Sequence, residues 1–256
     1  MKQGIVLVSH GTLDQDIRLR TIDDFMLSVG DRLPDAEIIC AFTNSDVRRM
    51  LRETKGEKVQ NVKAAMLSMK EMGVTDLTVV TTDILEDEEH KKIREEIGGL
   101  AAFFNEVKVS KPLLSEGADF EVTARAVHGA FGEIVGDDVL ILITKGSKEL
   151  GDEKLSTFER SLKKHFQKGY VASLKGEKRL YKIIKELKSI GIEDGRIVLV
   201  PMEFIAGPSI ENEISDCFAD LSERLLQDGY VVEEHFKGLG EYDAFQRLYL
   251  RHLYDA

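Results

Sequence analysis

Residues 4–16, "GIVLVSHGTLDQD", and residues 138–152, "DVLILITKGSKELGD", are two versions of one pattern. Each is a run of β-branched residues and leucine that breaks at a small polar residue, then a titratable residue, a glycine and a hydroxyl. A continuous apolar run of this kind, ending in a glycine turn and a polar segment, predicts a strand buried on both faces that leads into a helix. That is the mark of a parallel sheet with crossover helices. The two glycines, Gly11 and Gly146, stand 135 positions apart (146 − 11) in a chain of 256 residues. The titratable residue is His10 in one version and Lys145 in the other.

The segments downstream of each version repeat as well. After the first come a predicted helix from about Asp16 to Leu33, the strand "AEIICAF" (36–42), helical "NVKAAMLSMKEMG" (61–73) and the strand "DLTVVTTDIL" (76–85). Helical "DEEHKKIREEIGGLAAFF" (87–104) and a short strand "EVKVS" (106–110) close the first half. From Asp138 the order restarts with helical "KLSTFERSLKKHF", the strand "GYVASL", helical "EKRLYKIIKELKSIG" and the strand "GRIVLVPMEFIAG" (195–207).

The prediction is an α/β fold of two similar lobes made by internal duplication, each a mostly parallel sheet flanked by helices. The lobes are expected at 1–125 and 126–256, with residues 110 to 137 leading from one to the other and the C-terminal helix packing back on the first. Ligands of open parallel sheets bind beyond the carboxyl ends of the strands. The turns His10-Gly11-Thr12, Lys145-Gly146-Ser147 and Ala206-Gly207-Pro208-Ser209 are therefore expected to face one cleft between the lobes.

Composition narrows the function. With 43% hydrophobic and 32% charged residues and only four prolines, the chain reads as compact and soluble, without a linker or tail. A formal net charge of -11 argues against nucleic-acid binding, which needs clustered Lys and Arg. No apolar run approaches the ~18 residues of a membrane span, and the start "MKQGIVLVSHG" is too short in apolar residues for a secretion signal. The two cysteines, Cys40 and Cys217, form no CxxC pair and read as small buried hydrophobes in a reducing, cytoplasmic compartment. No GxGxxG follows the first strand and no GxxxxGK[ST] occurs, so no nucleotide or other organic cofactor is expected.

Five segments in order, "VSHGTLDQDIRLRTID", "AFTNSDVRRMLR", "KPLLS", "VPMEFIAGPSIENEISD" and "GLGEYDAFQRLYLRHL", resemble the anaerobic sirohydrochlorin cobaltochelatases, relatives of ferrochelatase. The resemblance implies the two-lobed chelatase fold and insertion of a divalent metal, cobalt or iron, into a sirohydrochlorin-type tetrapyrrole in cobalamin or sirohaem biosynthesis. It also implies small homo-oligomers as an option. Insertion needs ligands for a partly dehydrated cation and bases for the two pyrrole protons it displaces. In the family these are a histidine in the second-lobe turn, a glutamate at the end of the following strand, and a histidine in an "AGDH"-type turn.

All three positions differ here. Lys145 stands in "ITKGS" for the first and Ser209 in "AGPS" for the third. The glutamate matches Lys175 when "LKGEKRLYKIIKELK" is aligned without gaps, or Ala172 when "VAS" is aligned. An ammonium has no lone pair and repels a cation, but it suits the acidic arms of a polycarboxylate macrocycle. Lys145 and Lys175 are expected as such contacts, with solvated surface lysines as the plain reading.

His10, in "VSHGT", resembles the turn of the shorter cobaltochelatases and sirohydrochlorin ferrochelatases, whose metal site lies in the first lobe. Matching "TTDILEDEEHKK" to "VPMEFIAGPSI" sets Glu89 opposite Ser209 with His90 adjacent. His10, Glu89 and His90 are thus the expected relocated metal ligands and catalytic bases. Residues 86–90 also read as an ordinary acidic helix start.

Thr12, Ser147, Glu203 and Ser209 complete the expected substrate contacts. Glu203 interrupts an apolar strand, so it must face the cleft or find a partner, and an ion pair to Lys145 is its structural explanation. His128 and His165 fall in predicted helices, His235 after a strand and His252 in the last helix, none with ligand spacing. The alternative to an enzyme is a tetrapyrrole-binding carrier or regulatory homologue without the metal site.

Overall fold

The structure, a computed structural model, describes residues 1–146, 151–175, 179–207 and 213–255, with residues 213–217 by backbone only. Two of the expected contacts, Ser147 and Ser209, lie outside the described residues.

In the first lobe, strand β1 (Gln3–Ser9) leads through helices α1 (Gln15–Arg18) and α2 (Asp24–Arg32) to β2 (Glu37–Phe42). Helices α3 (Ser45–Met50) and α4 (Val62–Glu71) precede β3 (Asp76–Thr81), and α5 (Glu88–Leu100) precedes β4 (Glu106–Val109). Helix α6 (Gly117–Val135) carries the chain to β5 (Val139–Thr144). The second lobe continues with α7 (Gly151–Leu162), β6 (Gly169–Ser173), α8 (Leu180–Ser189), β7 (Gly195–Pro201), α9 (Glu213–Gln227), β8 (Tyr230–Glu234) and α10 (Asp243–Tyr254).

The two four-stranded sheets have orders β2-β1-β3-β4 and β6-β5-β7-β8, and every strand pair is parallel. The order is the same in both lobes, as a duplication requires. Register agrees residue by residue: Val8 pairs with Thr81, and Ile143, 135 positions later, pairs with Pro201. Buried residues alternate between two cores. Ile5, Leu7 and Val80 of the first sheet share one continuous core with Leu140, Leu142, Val198 and Val200 of the second. Val6, Val8 and Val79 face a separate core outside the first sheet, and Ile141, Ile143 and Leu199 one outside the second.

Several boundaries differ from the sequence reading. The expected helix 16–33 is α1 and α2 joined by one i→i+5 turn over Leu19–Asp23, beside which the Thr21 hydroxyl donates to the Ile17 carbonyl at 2.7 Å. Strand β7 stops at Pro201, which has no N–H for the ladder, so Glu203 sits in the turn after the strand and not within it. α7 ends at Leu162, leaving His165 beyond the helix. α6 runs unbroken across positions 125 and 126. α10 lies against the first lobe, where the Tyr249 hydroxyl donates to the Thr82 carbonyl at 3.1 Å and Gln246 donates to Asp24 at 2.8 Å. Among the described residues no helix is long and apolar enough to cross a membrane.

Candidate active site

Both sheets end their central strands in a glycine that only a positive φ can serve: +91° at Gly11 and +69° at Gly146. A Cβ at Gly11 would enter the Phe42 ring, and one at Gly146 would meet the Ser173 side chain and the Lys175 carbonyl. These tight turns bring the neighbouring strand ends together. Asn44 N–H donates to the His10 carbonyl at 3.2 Å, and Lys175 N–H donates to the Lys145 carbonyl at 2.8 Å. Asn44 and Lys175 therefore occupy equivalent places in the two lobes, and Ala172 is instead buried within β6.

The turns after β3 and β7 are equivalent too. Leu113 and Leu114 N–H donate to the carbonyls of Asp83 and Ile84, as Leu239 and Gly240 N–H donate to those of Glu203 and Phe204. Asp83 and Glu203 are thus two copies of one position. They project into a cleft of about 710 Å³ between the lobes, lined also by His10, Glu89, Thr144 and Lys145. Ile84, Leu85, Phe204 and Ile205 give it apolar walls. A second groove, about 1040 Å³, adjoins it through Thr43, Asp87, Glu89 and Lys145 and carries Arg48, Lys92 and Lys175.

His10 is partly buried, and its Nε2 lies 2.9 Å from Asn44 Nδ2. The Asn44 Oδ1 accepts the N–H groups of Asp46 and Val47 at the start of α3, which fixes the amide so that Nδ2 donates and Nε2 accepts. A metal on Nε2 must displace that bond.

α5 sorts the acidic cluster by helical phase. Asp87 caps the helix by accepting the His90 N–H at 2.8 Å, Glu88 is exposed, and Glu89 faces the cleft. His90, expected as a ligand, is instead fully buried behind Asp83, whose Oδ2 lies 2.7 Å from its Nδ1. Its Nε2 is buried without a hydrogen-bond partner among the described residues, so the ring meets Asp83 through Nδ1 alone. His90 therefore drops from the ligand set. Among the described residues no three His, Cys, Asp or Glu side chains are grouped to hold a metal ion.

Glu203 is held without the expected ion pair. Its Oε1 accepts the Lys145 backbone N–H at 3.0 Å and the Thr144 hydroxyl at 3.1 Å. Burial raises the Glu203 carboxyl from 4.5 to about 7, against those bonds and the Lys145 charge, and the Asp83 charge adds to the rise. Burial likewise pushes Asp83 up, against its bond with His90.

Thr12 does not reach the cleft lining; it is buried in its turn, its hydroxyl accepting the Asp14 N–H at 3.0 Å. The other histidines are remote: His128 and His165 lie together with ring centroids 5.5 Å apart, His235 meets Glu233, and His252 meets Asp119. Cys40 is inert, its thiol pushed up to about 12 by burial.

Asp83 and Asn44 were not singled out from the sequence. The signal for both was the duplication itself: Asp83 is the copy of Glu203, and Asn44 the copy of Lys175.

A family model described as cobalt chelatase (CbiK) matches residues 3–256. A sirohydrochlorin cobaltochelatase of Salmonella typhimurium is 21% identical, covering 100% of this chain and 97% of that protein. Among solved structures, SirB from Bacillus subtilis with Fe3+ matches with a TM-score of 0.71 at 15% identity, over 100% of this chain and 95% of that one. The sirohydrochlorin chelatase SirB from Bacillus subtilis subspecies spizizenii in complex with cobalt matches with a TM-score of 0.69, also at 15% identity and the same coverage. At these identities the two structures establish a shared fold.

Proposed function

From the premise that this chain belongs to the cobalt chelatase (CbiK) family, we propose that it inserts a divalent metal, cobalt or ferrous iron, into a sirohydrochlorin-type tetrapyrrole. The observation that carries this reading is one cleft, built by both lobes, which an imidazole (His10) and four carboxylates (Asp83, Asp87, Glu89 and Glu203) line between apolar walls. Apolar walls suit the faces of a macrocycle. The Salmonella relative's name supplies the substrate class.

In this reading His10 Nε2 and the Glu89 carboxylate take the incoming cation as substrate, and the macrocycle's four nitrogens then remove it. A transient two-ligand hold suits a metal that must leave. Lys145 and Lys175, with Arg48 and Lys92 along the adjoining groove, meet the carboxylate arms of the macrocycle. Asn44 orients His10 and gives way when metal binds.

A specific observation favours a second reading, a tetrapyrrole carrier. Lys145 stands where the family has a histidine, and no three-ligand group forms among the described residues.

Anaerobic titration with sirohydrochlorin, followed by cobaltous ion, separates the two. Metal insertion reads as an absorbance change faster than in free solution. A spectral shift on binding with no acceleration replaces the enzyme by the carrier, and no binding removes both.

A further inference from the structure

Replacing two pyrrole protons by a dication requires two acceptors at the reaction centre. We propose that Asp83 and Glu203, the two copies of one position in the duplicated lobe, accept these protons, one each. This rests on the metal-insertion reading above and adds to it the residues that carry the proton chemistry.

The geometry is matched on both sides. Each carboxyl stands two residues beyond the end of its strand, Thr81 or Pro201, and each has its carbonyl held by an equivalent N–H, from Leu113 or Leu239. Both line the same cleft, so each lobe supplies one acceptor to a macrocycle lying between them. One oxygen of each is anchored by protein. Among the described residues the bonds to Glu203 fall on Oε1 and the bond to Asp83 on Oδ2. The reactive oxygens are then Glu203 Oε2 and Asp83 Oδ1. His90 is the positioning residue for Asp83, and the Thr144 hydroxyl and Lys145 N–H serve Glu203 in the same way.

The step balances without an oxidant or reductant. Two pyrrole N–H bonds break, an O–H bond forms on each carboxylate, and the four macrocycle nitrogens close on the metal. Both protons then pass to water at the mouth of the cleft. Burial raises both carboxyls, Glu203 to about 7, which suits a base working near neutral pH.

The test is the pH dependence of cobalt insertion into sirohydrochlorin by the wild type, Glu203→Gln and Asp83→Asn. The wild-type kcat is expected to fall below pH of about 7. Each variant is expected to lose about 100-fold in kcat, with KM for cobalt within about twofold, and Glu203→Gln to lose the fall near neutrality. In parallel, carbon-13 NMR of carboxyl-labelled glutamate in the ligand-free protein should show one resonance titrating near 7 that is absent from Glu203→Gln, and a wild-type-like urea unfolding transition of each variant shows that it is folded. Insertion by the wild type with kcat and pH profile kept in either variant overturns the proton-acceptor assignment and leaves the insertion reading standing. A wild type that does not accelerate insertion overturns both.

Discussion

Glu203 carries a cost that can be measured without any substrate. Its carboxyl is raised from 4.5 to about 7 in the folded chain, so between those values the folded state binds a proton that the unfolded state has lost. Stability therefore falls as pH rises from 4.5 to 7, by an amount on the order of 3 kcal/mol at 1.36 kcal/mol per pH unit. Glu203→Gln removes the ionisable group and keeps its shape. Urea unfolding should find the variant more stable than the wild type at pH 8, by up to about that amount, and equal to it near pH 4; equal stabilities at both would show that Glu203 is not perturbed. His10 and Glu203 were legible in the sequence because each breaks an apolar run. Asp83 was not, since only strand register shows that β3 ends at Thr81 and leaves Asp83 in the turn. The fate of His90 follows from helical phase: neighbours on a helix diverge by about 100°, so Glu89 can face the cleft while His90 lines up with the buried Ile93 and Ile97, three and seven positions on.

The strand-end turns are where sequence determines the site most tightly. Gly11 combines a φ of +91° with the Phe42 ring packed where a Cβ would stand. Gly11→Ala therefore adds backbone strain to a clash, and we expect a loss of about 2–4 kcal/mol, read as a lower urea midpoint with an unchanged slope. A variant as stable as the wild type would mean that the turn has another conformation available. The apolar runs announced the central strands, because a parallel strand buried on both faces reads as a near-continuous apolar run, although β3 carries Asp76, Thr78 and Thr81 within its run. Their ends were less legible. "GRIVLVPMEFIAG" stays apolar past Pro201, since Met202, Phe204 and Ile205 are buried in the turn that shapes the cleft and not in the sheet. The break between α1 and α2 left no periodic signal either, for an i→i+5 turn merely advances the helix by one residue.

At the scale of the molecule, one core joins the lobes, and α10 closes it. Tyr249 is fully buried, meets Phe204 of the second lobe with ring centroids 5.2 Å apart, and donates its hydroxyl to Thr82 of the first. Nearby, His252 and Arg251 of α10 meet the buried Asp119 of α6. Tyr249→Ala should cost about 3–5 kcal/mol and Tyr249→Phe about 1 kcal/mol, both in a single unfolding transition that takes the two lobes together. Two separated transitions would show instead that each lobe stands alone. The repeat of strand order was visible as the 135-residue offset between glycine turns, whereas the shared core was not, because contacts between lobes follow no local period. The duplication produces a cleft with chemistry from both sides: His10, Asp83 and Glu89 from one, Lys145 and Glu203 from the other. The decisive measurement is the anaerobic single-turnover rate of cobalt insertion into sirohydrochlorin by the wild type and by His10→Ala, each against the rate in free solution. Metal insertion in this cleft predicts a wild-type rate well above the uncatalysed one and a His10→Ala rate close to it; equal rates in all three would contradict it.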